Sequence, residues 1–295
     1  MSELRKDYIL DRWVIISQKR GKRPNQFSAP PKIDKKIQRN CFFCPGNEKL
    51  TPKENFSVKS KEGWVIRTFN NKYGAVDKKQ TTKTKKNKLF TGVPAYGYSE
   101  VVVDSRYHDK QLEDLPVSHI KNVLEVLSKR MSYFASDKKI RHVAVFKNHS
   151  KEAGTSIIHS HCQIIAYNQI PKHISEEIKA LKKYRYCPYC RILKVESKSK
   201  RLCYKNNTIV AFAPFASRYN YEVLIFPVRH VTSLISLNQK EFLDLADILK
   251  KVLLKLKSIN APYNFYLHNA PHHKNMHFHL KVNPRINTFG GFELE

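Results

Sequence analysis

The sequence predicts an α+β fold made of a duplicated unit, with antiparallel sheets, packed helices and a pseudo-two-fold repeat. Three observations predict it: two amphipathic helices, short strand-like stretches around each, and an order of chemical features that occurs twice. In the first helix, over 118–131, Ile120, Val123, Leu124, Leu127 and Met131 fall on one face at helical spacing. In the second, over 238–256, Phe242, Leu245, Leu249, Val252, Leu253 and Leu256 do the same. Asn238 followed three residues later by Glu241 is a capping-box start for it. Apolar or alternating stretches at 99–105, 141–147, 162–168, 221–227, 263–269 and 277–283 read as strands.

The first half runs Cys-x-x-Cys at Cys41, strand, His108, helix, strand, then His-x-His at His159 and His161. The second runs Cys-x-x-Cys at Cys187, strand, His230, helix, strand, then His-x-His at His277 and His279. Agreement in kind and order across six features marks a repeat. The boundary falls between 168 and 185, dividing the chain into halves 1–170 and 171–295. Two polar stretches, 24–39 and the lysine-rich 77–88, read as loops.

The 295 residues are long enough for a substantial core. No apolar run approaches the roughly 20 residues that span a bilayer, and the charged N-terminus lacks the apolar segment of a signal peptide. The expectation is therefore a cytoplasmic protein with no membrane partner. The net charge is +29, from 54 Lys and Arg against 25 Asp and Glu. Such a field favours polyanions. The excess is spread along the chain and no zinc-finger helix, RNP-type aromatic motif or GXXG loop is visible, so nucleic acid is not the expected main partner.

Paired cysteines in a chain without export signals point to metal more than to disulfides. A tetrahedral zinc ion takes four thiolate or imidazole donors. The repeat nominates two equivalent sets, Cys41, Cys44, His108 and His159, and Cys187, Cys190, His230 and His277, hence two zinc ions per chain. In a His-x-His strand both side chains point to one face, about 7 Å apart. One can hold a metal while the other meets a substrate. Cys162 and Cys203 read as small packed side chains.

The segment FKNHSKEAGTSIIHSHCQIIA (146–166) resembles the active-site strand of the galactose-1-phosphate uridylyltransferase family, within the histidine-triad superfamily. RWVIISQKRGKRP (12–24), CFFCPGNE (41–48), WVIRTFNNKYGAV (64–76) and HFHLKVNPRINTFGGFEL (277–294) resemble further elements of that family, so the likeness covers nearly the whole chain. It implies a histidine-triad-like half on each side of the repeat and transfer of a nucleoside monophosphate in carbohydrate metabolism. It makes His161 the nucleophile and Gln163 a donor to the phosphate. Arg20, Arg23, Asn71, Asn148, Gly154 and Ser156 become substrate contacts. It further implies a homodimer, with a nucleotide sugar and a sugar phosphate as substrates. For the second metal it offers two patterns: the Cys187 set, favoured by the cysteine pair, or Glu177, His268, His277 and His279.

The family core is usually His-Pro-His; here Ser160 stands between the histidines, as in plant-type ADP-glucose:phosphate adenylyltransferases. Relatives also continue beyond a position equivalent to Glu295 into sugar-side contacts. The leading expectation is UDP-glucose:hexose-1-phosphate uridylyl transfer. The alternatives are phosphorolysis of ADP-glucose or a dinucleoside polyphosphate and, from another class, a non-catalytic RNA-binding protein.

Overall fold

A computed structural model of the chain describes residues 2–11, 13–17, 41–80, 85–86, 89, 91–269 and 275–287. In chain order the strands are β1 (Ser2–Lys6), β2 (Trp13–Ser17), β3 (Glu54–Ser60), β4 (Gly63–Asn70), β5 (Lys85–Lys86), β6 (Thr91–Gly92), β7 (Gly97–Val103), β8 (His142–His149), β9 (His161–Tyr167), β10 (Leu202–Lys205), β11 (Ile209–Phe212), β12 (Val223–Pro227), β13 (Tyr263–His268) and β14 (His279–Pro284). The helices are α1 (Val117–Ala135), α2 (Lys172–Leu181), α3 (Pro188–Glu196) and α4 (Gln239–Ser258).

Ten strands form one antiparallel sheet in the order β10-β11-β12-β14-β13-β8-β9-β7-β4-β3. That order reads as two five-strand blocks, mirrored about the β13–β8 pair. In each block a Cys-x-x-Cys element and a His-x-His strand take corresponding places. The sheet runs unbroken from β10 to β3.

Alternation along the strands sorts side chains to two faces. Val102, Val143, Val145, Cys162, Ile164, Ala166, Leu280 and Val282 join the main core, which α1 and α4 cover with the apolar faces expected of them. The helix α4 opens with the capping box, its Asn238 side chain accepting from the Glu241 amide. The opposite face carries two smaller clusters. Cys41, Phe43, Cys44, Trp64, Phe69, Val101 and Val103 form one. Leu181, Tyr189, Leu193, Phe212, Leu224, Phe226 and Met276 form the other, under α2 and α3. The histidines of interest lie on this second face. Gly97 is required where β7 crosses β9, because a Cβ there would sit 2.0 Å from the Ala166 carbonyl oxygen.

One detail differs from the sequence reading. His159 and His277 lie just outside β9 and β14, which begin at His161 and His279. The Cys187 pair opens a helix: Cys187 is the N-cap of α3 and Cys190 lies in its first turn. No helix among the described residues is long and apolar enough to cross a membrane.

Candidate active site and metal centres

The two Cys/His sets nominated by the repeat each converge, with their donor atoms within 4.8 Å of one another. In the first, Cys41 Sγ lies 3.6 Å and Cys44 Sγ 3.5 Å from His159 Nδ1, and Cys44 Sγ lies 3.4 Å from His108 Nδ1. In the second, Cys190 Sγ lies 3.4 Å from His230 Nδ1 and 3.7 Å from His277 Nδ1. With Zn–S near 2.3 Å and Zn–N near 2.0 Å, sulfur and nitrogen on a tetrahedral ion sit about 3.5 Å apart. Both sets therefore have the shape and chemistry for a divalent ion. Burial and the neighbouring cysteine push the Cys44 thiol up to about 12, and burial likewise raises Cys187 to about 12. A thiolate in either place calls for a nearby cation. His159 is further oriented by its Nε2, which donates to the Ser105 carbonyl over 2.8 Å and leaves Nδ1 free to face the sulfurs.

The alternative second set separates. His277 belongs with Cys187, Cys190 and His230, whereas Glu177, His268 and His279 form a third cluster of their own. There His268 Nδ1 lies 3.0 Å from Glu177, whose other oxygen accepts from the Tyr189 hydroxyl. Burial works against charge on Glu177, but the interaction with His268 and the charge of Lys281 outweigh it and hold the carboxyl well below its usual range.

His161 lies on the face opposite the main core, 7% exposed, with its ring edge-on to Phe43 at 5.2 Å. Its Nδ1–H donates to the His159 carbonyl over 2.8 Å, which fixes the tautomer and leaves the Nε2 lone pair available. Burial, reinforced by the charge of Lys147, lowers its pKa, so the ring is neutral near pH 7. Gln163 lies two residues into β9 on the same face, half-buried.

Asn148 is the last but one residue of β8, beside the loop that returns to His161. Asn264 of β13 donates to the Asn148 side chain over 2.8 Å and to the Ala153 carbonyl over 2.7 Å, pinning this loop from the other half of the chain. Gly154 has φ 89, in the left-handed region that favours glycine, and Ser156 is exposed beyond it. Asn71 follows β4 and bonds through its backbone to Ser99 of β7. Arg20 and Arg23 lie outside the described residues.

Sequence reasoning missed the ion pair beneath β9. Lys147 and Asp104 are both buried, 2.5 Å apart. Burial opposes charge on each, yet each keeps its partner ionised.

The family model for the galactose-1-phosphate uridyl transferase N-terminal domain matches residues 1–171. The chain belongs to this family. A second model, a domain of unknown function (DUF4921), matches residues 116–295. Among curated relatives, ADP-glucose phosphorylase of Arabidopsis thaliana is 32% identical over 99% of this chain and 87% of its own length. Galactose-1-phosphate uridylyltransferase of Thermotoga maritima is 31% identical over 96% of this chain and 87% of its own. Among solved structures, the Arabidopsis thaliana ADP-glucose phosphorylase with bound ADP-glucose has a TM-score of 0.85 at 30% identity, covering 100% of this chain and 92% of that one. The activities these relatives are named for, uridylyl transfer and ADP-glucose phosphorolysis, are both nucleotidyl transfers.

Proposed function

We propose that the protein transfers a nucleoside monophosphate between phosphorylated small molecules by a ping-pong route through nucleotidyl-His161. The observation that carries this is the His161 lock: Nδ1 held by the His159 carbonyl at 2.8 Å, Nε2 left as a neutral nucleophile. In the first step Nε2 attacks the α-phosphorus of a nucleotide sugar. A nitrogen–phosphorus bond forms, the phosphorus–oxygen bond to the sugar phosphate breaks, and the sugar phosphate leaves with the electron pair. In the second, an oxygen of the acceptor phosphate attacks the same phosphorus and the imidazole departs unchanged. Gln163 donates to a non-bridging oxygen as charge builds there. Asn71, Asn148, Gly154 and Ser156, with Arg20 and Arg23, bind the nucleotide and phosphates. The substrates are polyanions, and the basic surface assists their capture.

Cys41, Cys44, His108 and His159 would hold one zinc ion and Cys187, Cys190, His230 and His277 a second. The metal supplies rigidity; at the first set it fixes His159, whose carbonyl aims His161. The halves meet near residue 170. The working form is a homodimer, as the family resemblance implies, and the compartment in which it works is the cytoplasm.

The leading substrate pair is UDP-glucose with a hexose 1-phosphate. Adenylyl transfer from ADP-glucose is the second reading, supported by Ser160 between the histidines and by the likeness to the plant phosphorylase across 99% of this chain. Incubation with labelled UDP-glucose and ADP-glucose separates them: the true donor leaves its nucleotide on the protein, the other leaves none. Tight, salt-sensitive RNA binding with transfer from neither donor would favour the RNA-binding alternative.

A further inference from the structure

The backbone of His159-Ser160-His161 is engaged at every carbonyl. The His159 oxygen accepts from His161 Nδ1 at 2.8 Å, the Ser160 oxygen from the Asp104 amide at 3.1 Å, and the His161 oxygen from Lys147 Nζ at 3.2 Å. Lys147 makes two more bonds, to Asp104 Oδ2 at 2.5 Å and Ser160 Oγ at 2.7 Å, and the Ser160 hydroxyl donates to Asp104 Oδ2 at 2.9 Å. An ammonium group has three donors, and all three are used. This network lies on the core side of the sheet, opposite the His161 ring. Lys147 is 1% exposed and Asp104 0%.

The other half of the chain supplies an internal control. His279 Nδ1 donates to the His277 carbonyl over 2.9 Å, reproducing the lock on His161. By strand register, Pro227, Leu267 and Phe278 stand where Asp104, Lys147 and Ser160 stand in the first half. Leu267 and Phe278 are part of the apolar core. The turn thus forms without a buried ion pair. A charge pair that the fold does not require, placed under the one reactive imidazole, calls for a role in the chemistry.

We propose that Lys147 and Asp104 are positioning residues of the transfer step, with Ser160 as their link: together they clamp the His161 backbone from behind and hold Nε2 in line with the α-phosphorus. The clamp touches no substrate. It acts on rate by keeping the attacking atom within a narrow range of positions, where a displacement of about 1 Å costs about 10²-fold.

The proposal rests on the covalent reading above, and the test separates the two. The variants are Lys147→Met, the charge-balanced Asp104→Asn/Lys147→Met, and Ser160→Ala. Each is checked for folding by circular dichroism and for metal content, then followed by mass spectrometry for the rate of nucleotide attachment from the donor sugar and by steady-state KM and kcat. Lys147→Met leaves a buried carboxylate unpaired; if it fails to fold, the double variant carries the test. The expected result is a folded double variant with wild-type metal content and KM whose attachment rate and kcat fall about 10²-fold, with Ser160→Ala falling less. A folded double variant with the wild-type attachment rate, or one that loses affinity in place of rate, overturns the proposal while wild-type labelling leaves the covalent reading standing. Wild-type protein that gains no nucleotide overturns both.

Discussion

His161 and His279 occupy mirrored places in one sheet, each with Nδ1 bonded to the carbonyl two residues back, at 2.8 and 2.9 Å. Their surroundings diverge. His161 meets Phe43 edge-on, keeps 7% of its surface exposed, and is followed on its face by Gln163. His279 is fully buried, stacked on Phe226 at 4.4 Å and tilted against His268 at 4.8 Å. Beneath His161 lies a lysine–aspartate pair; beneath His279, leucine and phenylalanine. The comparison teaches that one backbone lock can serve two settings: a partly exposed imidazole backed by a buried ion pair, and a fully buried one closed in by aromatic rings, His268 and Glu177. In our reading, only the first copy performs transfer.

The largest expected effect tests this asymmetry directly. His161→Asn abolishes transfer, lowering kcat by about 10⁴-fold or more, with folding and metal content retained. His279→Asn leaves turnover of the folded protein intact and costs stability on the order of 1–3 kcal/mol, because buried polar partners are disturbed. Steady-state assays and thermal melts on both variants check it; equal loss of turnover in the two would erase the distinction.

The metal sets should diverge likewise. Cys41→Ser and Cys187→Ser are each expected to lower zinc from about two ions per chain to about one. The first should also cost most of the activity, because His159 orients His161, whereas the second should mainly lower the melting temperature. Elemental analysis beside activity and melting measurements reads this, and a Cys187→Ser protein that is stable but inactive would contradict it.

Much of this was legible in the sequence because its signals are local. A Cys-x-x-Cys or His-x-His pair carries its geometry in its spacing, and α1 and α4 announce themselves by long apolar faces. The buried pair was not legible: Lys147 and Asp104 are 43 positions apart in a chain of many lysines, and neither has a spacing that betrays its partner. The strands begin at the second histidine of each pair because the first one's carbonyl bonds to a ring rather than to a neighbouring strand. The split of the Glu177, His268, His277 and His279 set was also hidden. His277 could serve either group until the chain placed Cys190 3.7 Å from its Nδ1.

Acid should weaken the loop that leads into the first copy. His149 stacks on Tyr263, and burial, assisted by Lys147, pushes its pKa down to about 4. The unfolded chain takes up this proton near pH 6.5 and the folded protein only near pH 4, so stability falls as pH drops through that window. The loss approaches about 3 kcal/mol at most. His149→Gln should flatten the dependence of chemical-denaturation midpoints between pH 6.5 and 4; an unaltered slope would assign the acid sensitivity elsewhere.

The smallest effect concerns Ser150, which has φ 78 and ψ 158, a region open mainly to glycine. It precedes the turn that carries Gly154 on the way to His161. Ser150→Gly should relieve the strain and stabilise the protein by about 1 kcal/mol after the entropic cost of glycine. A lower melting temperature would show that the serine's own contacts outweigh its strain.

The central claim is that one imidazole of the mirrored pair becomes covalently loaded. Wild-type protein incubated with the donor nucleotide sugar alone, without acceptor, should gain the mass of one nucleoside monophosphate. Peptide mapping should place it on His161, with the lability in acid and stability in base of a nitrogen–phosphorus bond. No mass gain from either UDP-glucose or ADP-glucose, or an adduct mapped to His279 or any other residue, would contradict the account.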